Sequence, residues 1–156
     1  MALRTWETED SLTNYPPILI IDDDKWMQKI VSHYISSWGF EAISASDAID
    51  GIALAINYPP SLIFIDLIMP EINGILLLKM LKKIEITSNI PIAIISGNFN
   101  RDVVSEALRN GAAAVVGKPF SEKVLLDKVQ DCFGHSILYK IKKSRFQISD
   151  MPITKL

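Results

Sequence analysis

Five times along this chain a short apolar run gives way to a stretch whose apolar residues recur every three or four positions. No other feature limits the fold so strongly, because strand-length runs alternating with helical periodicity call for repeated strand–helix units. Residues 17–21 (PILII) come first. Met27, Ile30, Val31, Tyr34, Ile35 and Trp38 follow at helical spacing, and Gly39 suits the helix C-terminus. Residues 40–45 (FEAISA) read as a second, less apolar strand. Ser46 or Asp47 can cap the next helix, which would set Ile49, Ile52, Ala53 and Ile56 on one face before residues 58–60 (YPP) end it. The third strand is 62–66 (LIFID), followed by the loop 67–74 (LIMPEING) and a helix from about Ile75 to Ile84. Residues 90–96 (IPIAIIS) are the fourth strand, and Val103, Val104, Ala107 and Leu108 mark a helix stopped by Asn110 and Gly111. Residues 113–117 (AAVVG) are the fifth strand, and Ser121 can cap a last helix through about Phe133.

Strands one, three and four are almost continuously apolar where a half-exposed strand would alternate. That pattern belongs to strands covered on both faces, hence to a parallel sheet between two helical layers. The expected fold is therefore α/β, a doubly wound five-stranded parallel sheet with five helices over residues 17–133, with tails at 1–16 and 134–156. The second tail mixes Lys140, Lys142, Lys143 and Arg145 with Ile137, Leu138, Tyr139, Ile141 and Phe146. It reads either as a frayed terminus or as a segment that docks on a partner or a second copy.

With 156 residues, 49% of them apolar, the chain can bury one substantial core. Its 16 basic and 18 acidic residues argue against a nucleic-acid binder that works through a basic surface. The lone Cys132 allows no intrachain disulfide and no cysteine metal cluster, and it suits a reducing compartment. No apolar run is long enough to cross a bilayer, and the N-terminal stretch has the pattern of neither a signal peptide nor an anchor. The expectation is a cytoplasmic protein.

In an open parallel sheet, sites form outside the carboxyl ends of the strands. Strand one is followed by Asp22, Asp23 and Asp24, strand three ends in Asp66, strand four in Ser96, and strand five leads into Lys118 and Pro119. Clustered carboxylates raise one another's pKa unless a cation neutralises them, and oxygen ligands favour Mg²⁺ or a similar hard ion. Lys118 suits an anionic group such as phosphate, and the Ser96 hydroxyl can donate to a phosphoryl oxygen. Together these groups spell phosphoryl transfer onto or off a carboxylate.

The stretches 18–24 (ILIIDDD), 62–74 (LIFIDLIMPEING), 94–97 (IISG) and 117–120 (GKPF), in this order, resemble the receiver domain of two-component response regulators from about Pro17 to Phe133. The resemblance implies the flavodoxin-like strand order 2-1-3-4-5. It implies Asp66 as phosphoacceptor, taking its group from a histidine kinase or a histidine phosphotransfer protein. Asp22 and Asp23 resemble the acidic pair that holds Mg²⁺ together with Asp66 and the backbone carbonyl of Ile68, with Asp24 a solvated neighbour. Ser96 and Lys118 resemble the hydroxyl and the lysine that receive the phosphoryl group, and the Lys118–Pro119 bond would be cis. Such a domain signals rather than turning over substrate. Phosphorylation alters the face of helix four, strand five and helix five, which meets a downstream protein; a homodimer is left open. Two positions depart from the family. Val115 stands three residues before the lysine, where an aromatic is common. Ile68 is apolar two residues after the acceptor and, beside Asn98, would hinder a hydrolytic water and slow self-dephosphorylation.

Three other readings compete. A haloacid-dehalogenase-type phosphatase needs a second acid two residues after the nucleophile, where this chain has Ile68. An interaction module without phosphorylation and a fragment of a larger regulator or hybrid kinase stay open. Among the remaining residues, Trp26 is expected to pack at the start of helix one or to shield the pocket. His33 should be exposed and Cys132 packed in the last helix, while His135 lacks the helical setting of a phosphotransfer histidine. Met69, Pro70 and Gly74 should shape the loop after Asp66.

Overall fold

Ile18–Ile21 (β1) is buried along its whole length, and so are Leu62–Asp66 (β3) and Ile92–Ser96 (β4). Only a strand covered on both sides can bury every residue, and burying each such aliphatic side chain is worth about 1.5–3 kcal/mol. Ala42–Ala45 (β2) and Ala114–Gly117 (β5) complete a parallel sheet of order β2-β1-β3-β4-β5. The computed structural model describes residues 15–133. The expectations for residues 1–14 and 134–156, including His135 and the basic tail, lie outside the described residues.

Helices Ala48–Asn57 (α2), Gly74–Lys83 (α3) and Arg101–Arg109 (α4) cover one face, over a core that includes Leu19, Ile21, Ile63, Ile65, Ile94 and Val115. Lys25–Ser37 (α1) and Glu122–Phe133 (α5) cover the other, over Ile18, Ile20, Phe64, Ile95 and Val116. Each helix starts at the carboxyl edge of the sheet with a short polar cap. The side chains of Asp24, Asp47, Asn73, Asn100 and Ser121 accept from the backbone N–H groups of Trp26, Asp50, Ile75, Val103 and Val124 respectively. Each cap is worth about 1 kcal/mol and fixes where its loop must end. Gly39 and Gly111 follow the ends of α1 and α4 with φ of 90° and 100°, the left-handed conformation glycine adopts without strain. The Lys118–Pro119 peptide is cis.

Three expectations need correction. The α2 face is different in part: Ile52 packs half-buried against the core as expected, but Ile49 is 74% exposed and Ala53 and Ile56 are also exposed, while Ala48, Gly51 and Ala55 are buried. The cause is close approach, since a Cβ on Gly51 would lie 2.5 Å from Cδ1 of the buried Ile21. Trp26 does not pack at the start of α1. It is 73% exposed, with Lys29 Nζ 5.2 Å from its ring centroid, a cation–π arrangement that needs no burial. Ile30 is exposed too, and Gln28 takes the inward place beside Val31 and Ile35. Two strands start two residues later than expected, β2 at Ala42 and β4 at Ile92, where Pro91 has no N–H for the ladder. His33 is exposed, and Cys132 packs partly against the α1–α5 core, where burial pushes its thiol up to about 11. Among the described residues, no helix is long and apolar enough to cross a membrane.

Candidate functional site

Register brings the polar residues together. Ile21 lies opposite Ile65, Asp66 opposite Ile95, and Ser96 opposite Gly117, so the residues that follow β1, β3, β4 and β5 share one edge. Asp22, Asp23 and Asp66 each offer a carboxylate oxygen there, all within 4.8 Å of one another. Asp22 is 1% exposed and Asp66 7%, while Asp23 faces solvent. Lys118 reaches in from beyond β5, its Nζ 3.3 Å from Asp66 Oδ1 and 3.5 Å from Asp22 Oδ2. One ammonium against three carboxylates leaves two formal negative charges in a partly buried space.

The electrostatics follow. Burial raises the Asp22 carboxyl above the usual carboxylate range; the charges of Asp66 and Asp23 add to the rise, and the Asp24 N–H and Lys118 oppose it. Burial likewise raises Asp66, against the pull of Lys118 and the Ile68 N–H. Asp22 is held from several directions. Its N–H donates to the Ala45 carbonyl at 3.1 Å, and its Oδ1 accepts from the Asp24 N–H at 2.8 Å. Its Oδ2 is, among the described residues, the buried side-chain atom without a hydrogen-bond donor, Lys118 Nζ standing 3.5 Å away as an ion-pair partner. An orphaned carboxylate oxygen amid excess negative charge is what a hard divalent cation satisfies, so this donor set fits such an ion.

The loop after β3 is pinned close to the end of that strand. Gly74 N donates to the Leu67 carbonyl at 2.8 Å, and a single antiparallel bridge joins Ile68 to Asn73. A Cβ at Gly74 would stand 2.5 Å from the Asp66 carbonyl oxygen. Ile68 itself is exposed. Ser96 is fully buried, its hydroxyl accepting from Asn98 N at 3.0 Å and donating to Asn98 O at 3.2 Å. One residue on, Phe99 lays its side chain over Gly117, where a Cβ would meet Phe99 Cγ at 2.8 Å. Val115 is buried on the α4 side. Beside Asp23, a cleft of about 100 Å³ opens between the β2–α2 turn and the loop of Met69, Pro70, Glu71 and Ile72.

Asp22, Asp23, Asp66 and Lys118 thus form one cluster, with Ser96 at the end of the strand beside Asp66. Asp24 stands outside the cluster as the cap of α1. The sequence reading missed Gln28, although its spacing to Val31 and Ile35 places it on the inward stripe. It also missed Phe99, which no periodicity marks.

Known proteins share this architecture. The family model described as the response regulator receiver domain matches residues 18–130. Over 124 residues the chain is 27% identical to the hybrid signal transduction histidine kinase D of Dictyostelium discoideum, covering 80% of this chain and 8% of that protein. Over 115 residues it is 32% identical to the DNA-binding dual master transcriptional regulator RpaA of Synechocystis sp., covering 74% of this chain and 48% of the relative. The chain therefore spans half or less of the length of both. Among solved structures, Vibrio cholerae chemotaxis protein CheY4, crystallised at low pH, superposes with a TM-score of 0.72 at 24% identity. That superposition covers 76% of this chain and 98% of the other, and at such identity the likeness is one of fold.

Proposed function

The chain belongs to the response regulator receiver domain family, and from that premise we propose that it accepts a phosphoryl group from a phosphohistidine onto Asp66. Asp22, Asp23, Asp66 and the backbone carbonyl of Ile68 would hold Mg²⁺. The observation that carries this reading is the meeting of three carboxylates with one lysine, Asp22 Oδ2 lacking a donor. When bound, Mg²⁺ neutralises charge on the carboxylates and on the phosphoryl oxygens. An Asp66 oxygen attacks phosphorus; the new O–P bond forms as the N–P bond to the imidazole breaks, and the electron pair leaves with the ring nitrogen. Lys118 keeps its ammonium beside Asp66 to meet the incoming charge. The Ser96 hydroxyl turns its proton from the Asn98 carbonyl to a phosphoryl oxygen.

The phosphoryl group brings about 1.5 to 2 negative charges in place of the single charge of the Asp66 carboxylate, so phosphorylation adds at most about one negative charge at this edge and spreads it over three oxygens. Only a loop arrangement that binds those charges better than the present one gains population. The Asn98 carbonyl released by Ser96 begins that change, and the α4, β5 and α5 face carries it to a downstream protein. The role is signalling in the cytoplasm, without turnover of a separate substrate. The exposed Ile68 crowds the approach of water to the phosphorylated acceptor, so the phosphoryl group is lost slowly. The small share of its relatives' length that the chain spans favours a second reading, a receiver acting as one part of a larger regulator or hybrid kinase.

The test is incubation with acetyl phosphate, with and without Mg²⁺, reading intact mass for wild type and Asp66→Asn. A Mg²⁺-dependent phosphoryl adduct absent from the variant is expected, and a time course after donor removal reads its lifetime. A folded protein that binds Mg²⁺ yet gains no adduct would move the phosphorylation-independent interaction module to first place.

A further inference from the structure

Gln28 is the one polar residue on the buried stripe of α1, only 6% exposed. Its side-chain nitrogen lies 2.5 Å from the Asp22 carbonyl, 3.2 Å from the Ala45 carbonyl and 3.1 Å from the Ser46 hydroxyl, three acceptors that share its two N–H groups. Carbonyl oxygens only accept, so the amide must present its nitrogen to this junction. The same Ala45 carbonyl accepts the Asp22 N–H, and Ser46 Oγ also accepts from Lys25 Nζ. One side chain thus ties the ends of β1 and β2 and the start of the β2–α2 turn to the first helix.

The Asp22 carbonyl belongs to the planar peptide that joins Asp22 to Asp23. Holding that oxygen fixes the plane from which the solvent-facing Asp23 side chain departs. Asp22 is already held at its N–H and its Oδ1, so Gln28 supplies the remaining restraint on the acidic pair. We infer that Gln28 is a positioning residue for the cation-binding acids, setting the Asp22–Asp23 peptide so that both carboxylates meet the ion without reorganisation. The inference rests on the cation reading proposed above. Groups that orient metal ligands without touching the metal typically change affinity 10–100-fold when removed.

The experiment titrates Mg²⁺ into the unphosphorylated full chain by calorimetry and follows urea unfolding in parallel. It compares wild type, Gln28→Met, Gln28→Glu and Lys82→Met. Lys82 makes a similar tie, donating to the Ser88 and Ile90 carbonyls, but ahead of β4 and away from the acids. Gln28→Met and Gln28→Glu should each weaken Mg²⁺ binding 10–100-fold. Lys82→Met should lower stability and leave Mg²⁺ affinity unchanged. Gln28→Glu is the sharper arm, because added negative charge alone would tighten cation binding. Gln28 variants that unfold more easily yet bind Mg²⁺ as wild type does would overturn the inference and leave the cation reading intact. A wild type that binds no Mg²⁺ would overturn both. If neither Gln28 variant folds, the wild-type side-chain amide decides: it should be protected from exchange and shift with Mg²⁺ occupancy, and an unprotected amide that ignores Mg²⁺ overturns the inference.

Discussion

Asp22 and Asp66 keep carboxyl pKa values above the ordinary 3.8 because they are buried among like charges. The sign of the consequence follows from linkage. Between the ordinary value and the raised one, the folded protein holds protons that the unfolded chain has released, so stability falls as pH rises through that window. In EDTA, Asp22→Asn should unfold at higher urea than wild type at neutral pH, and the gap should close as pH approaches 4. A gap independent of pH would show that charge is not its cause. The chemistry-bearing residues were legible in the sequence because each of Asp22, Asp66, Ser96 and Lys118 stands just past an apolar run, where the end of a parallel strand must lie. Gln28 was not, since a polar residue between Met27 and Val31 reads as part of a solvated face until its acceptors on another strand are known. Trp26 misled for the opposite reason: its size suggested burial, but the nearby Lys29 ammonium offers the ring a partner in solvent.

Among the elements, the number of strands and helices could be read from the runs alone and the strand order followed from the family resemblance, while the orientation of α2 could be read from neither. Its sequence carries two apolar faces, one of isoleucines and one of small residues, and hydrophobicity alone favours the larger. Close packing on Ile21 selects the small face. Gly51→Ala tests this. Alanine should improve helix propensity by about 1 kcal/mol, yet crowding the buried Ile21 costs about 1–3 kcal/mol, so a net loss is expected in urea unfolding. A gain in stability would mean that α2 can back away from the sheet. Gly74→Ala is harsher, because the atom its Cβ meets is the Asp66 backbone oxygen, which no rotamer change can move. A loss of about 2–3 kcal/mol is expected, with slower phosphoryl uptake from acetyl phosphate. Unchanged uptake would show that the loop shifts without disturbing the acceptor.

For the whole molecule, the acids are a local cost that a bound cation offsets. An ion that binds only the folded state at 100 times its Kd stabilises by about 2.7 kcal/mol. For a domain of this size, Mg²⁺ should raise Tm by on the order of 10 °C. Calorimetric scans with Mg²⁺ and with EDTA read this directly, and a variant carrying both Asp22→Asn and Asp66→Asn should lose most of the shift. All of this chemistry sits at one edge of the sheet. Ahead of β2, Phe40 stacks with Phe133 at a centroid distance of 6.4 Å and meets Tyr15 at 5.6 Å. The two ends of the described residues therefore lie close together, at the edge opposite the acids. The described termini and the acids thus stand at opposite ends of the strands, like the grip and the blade of one tool.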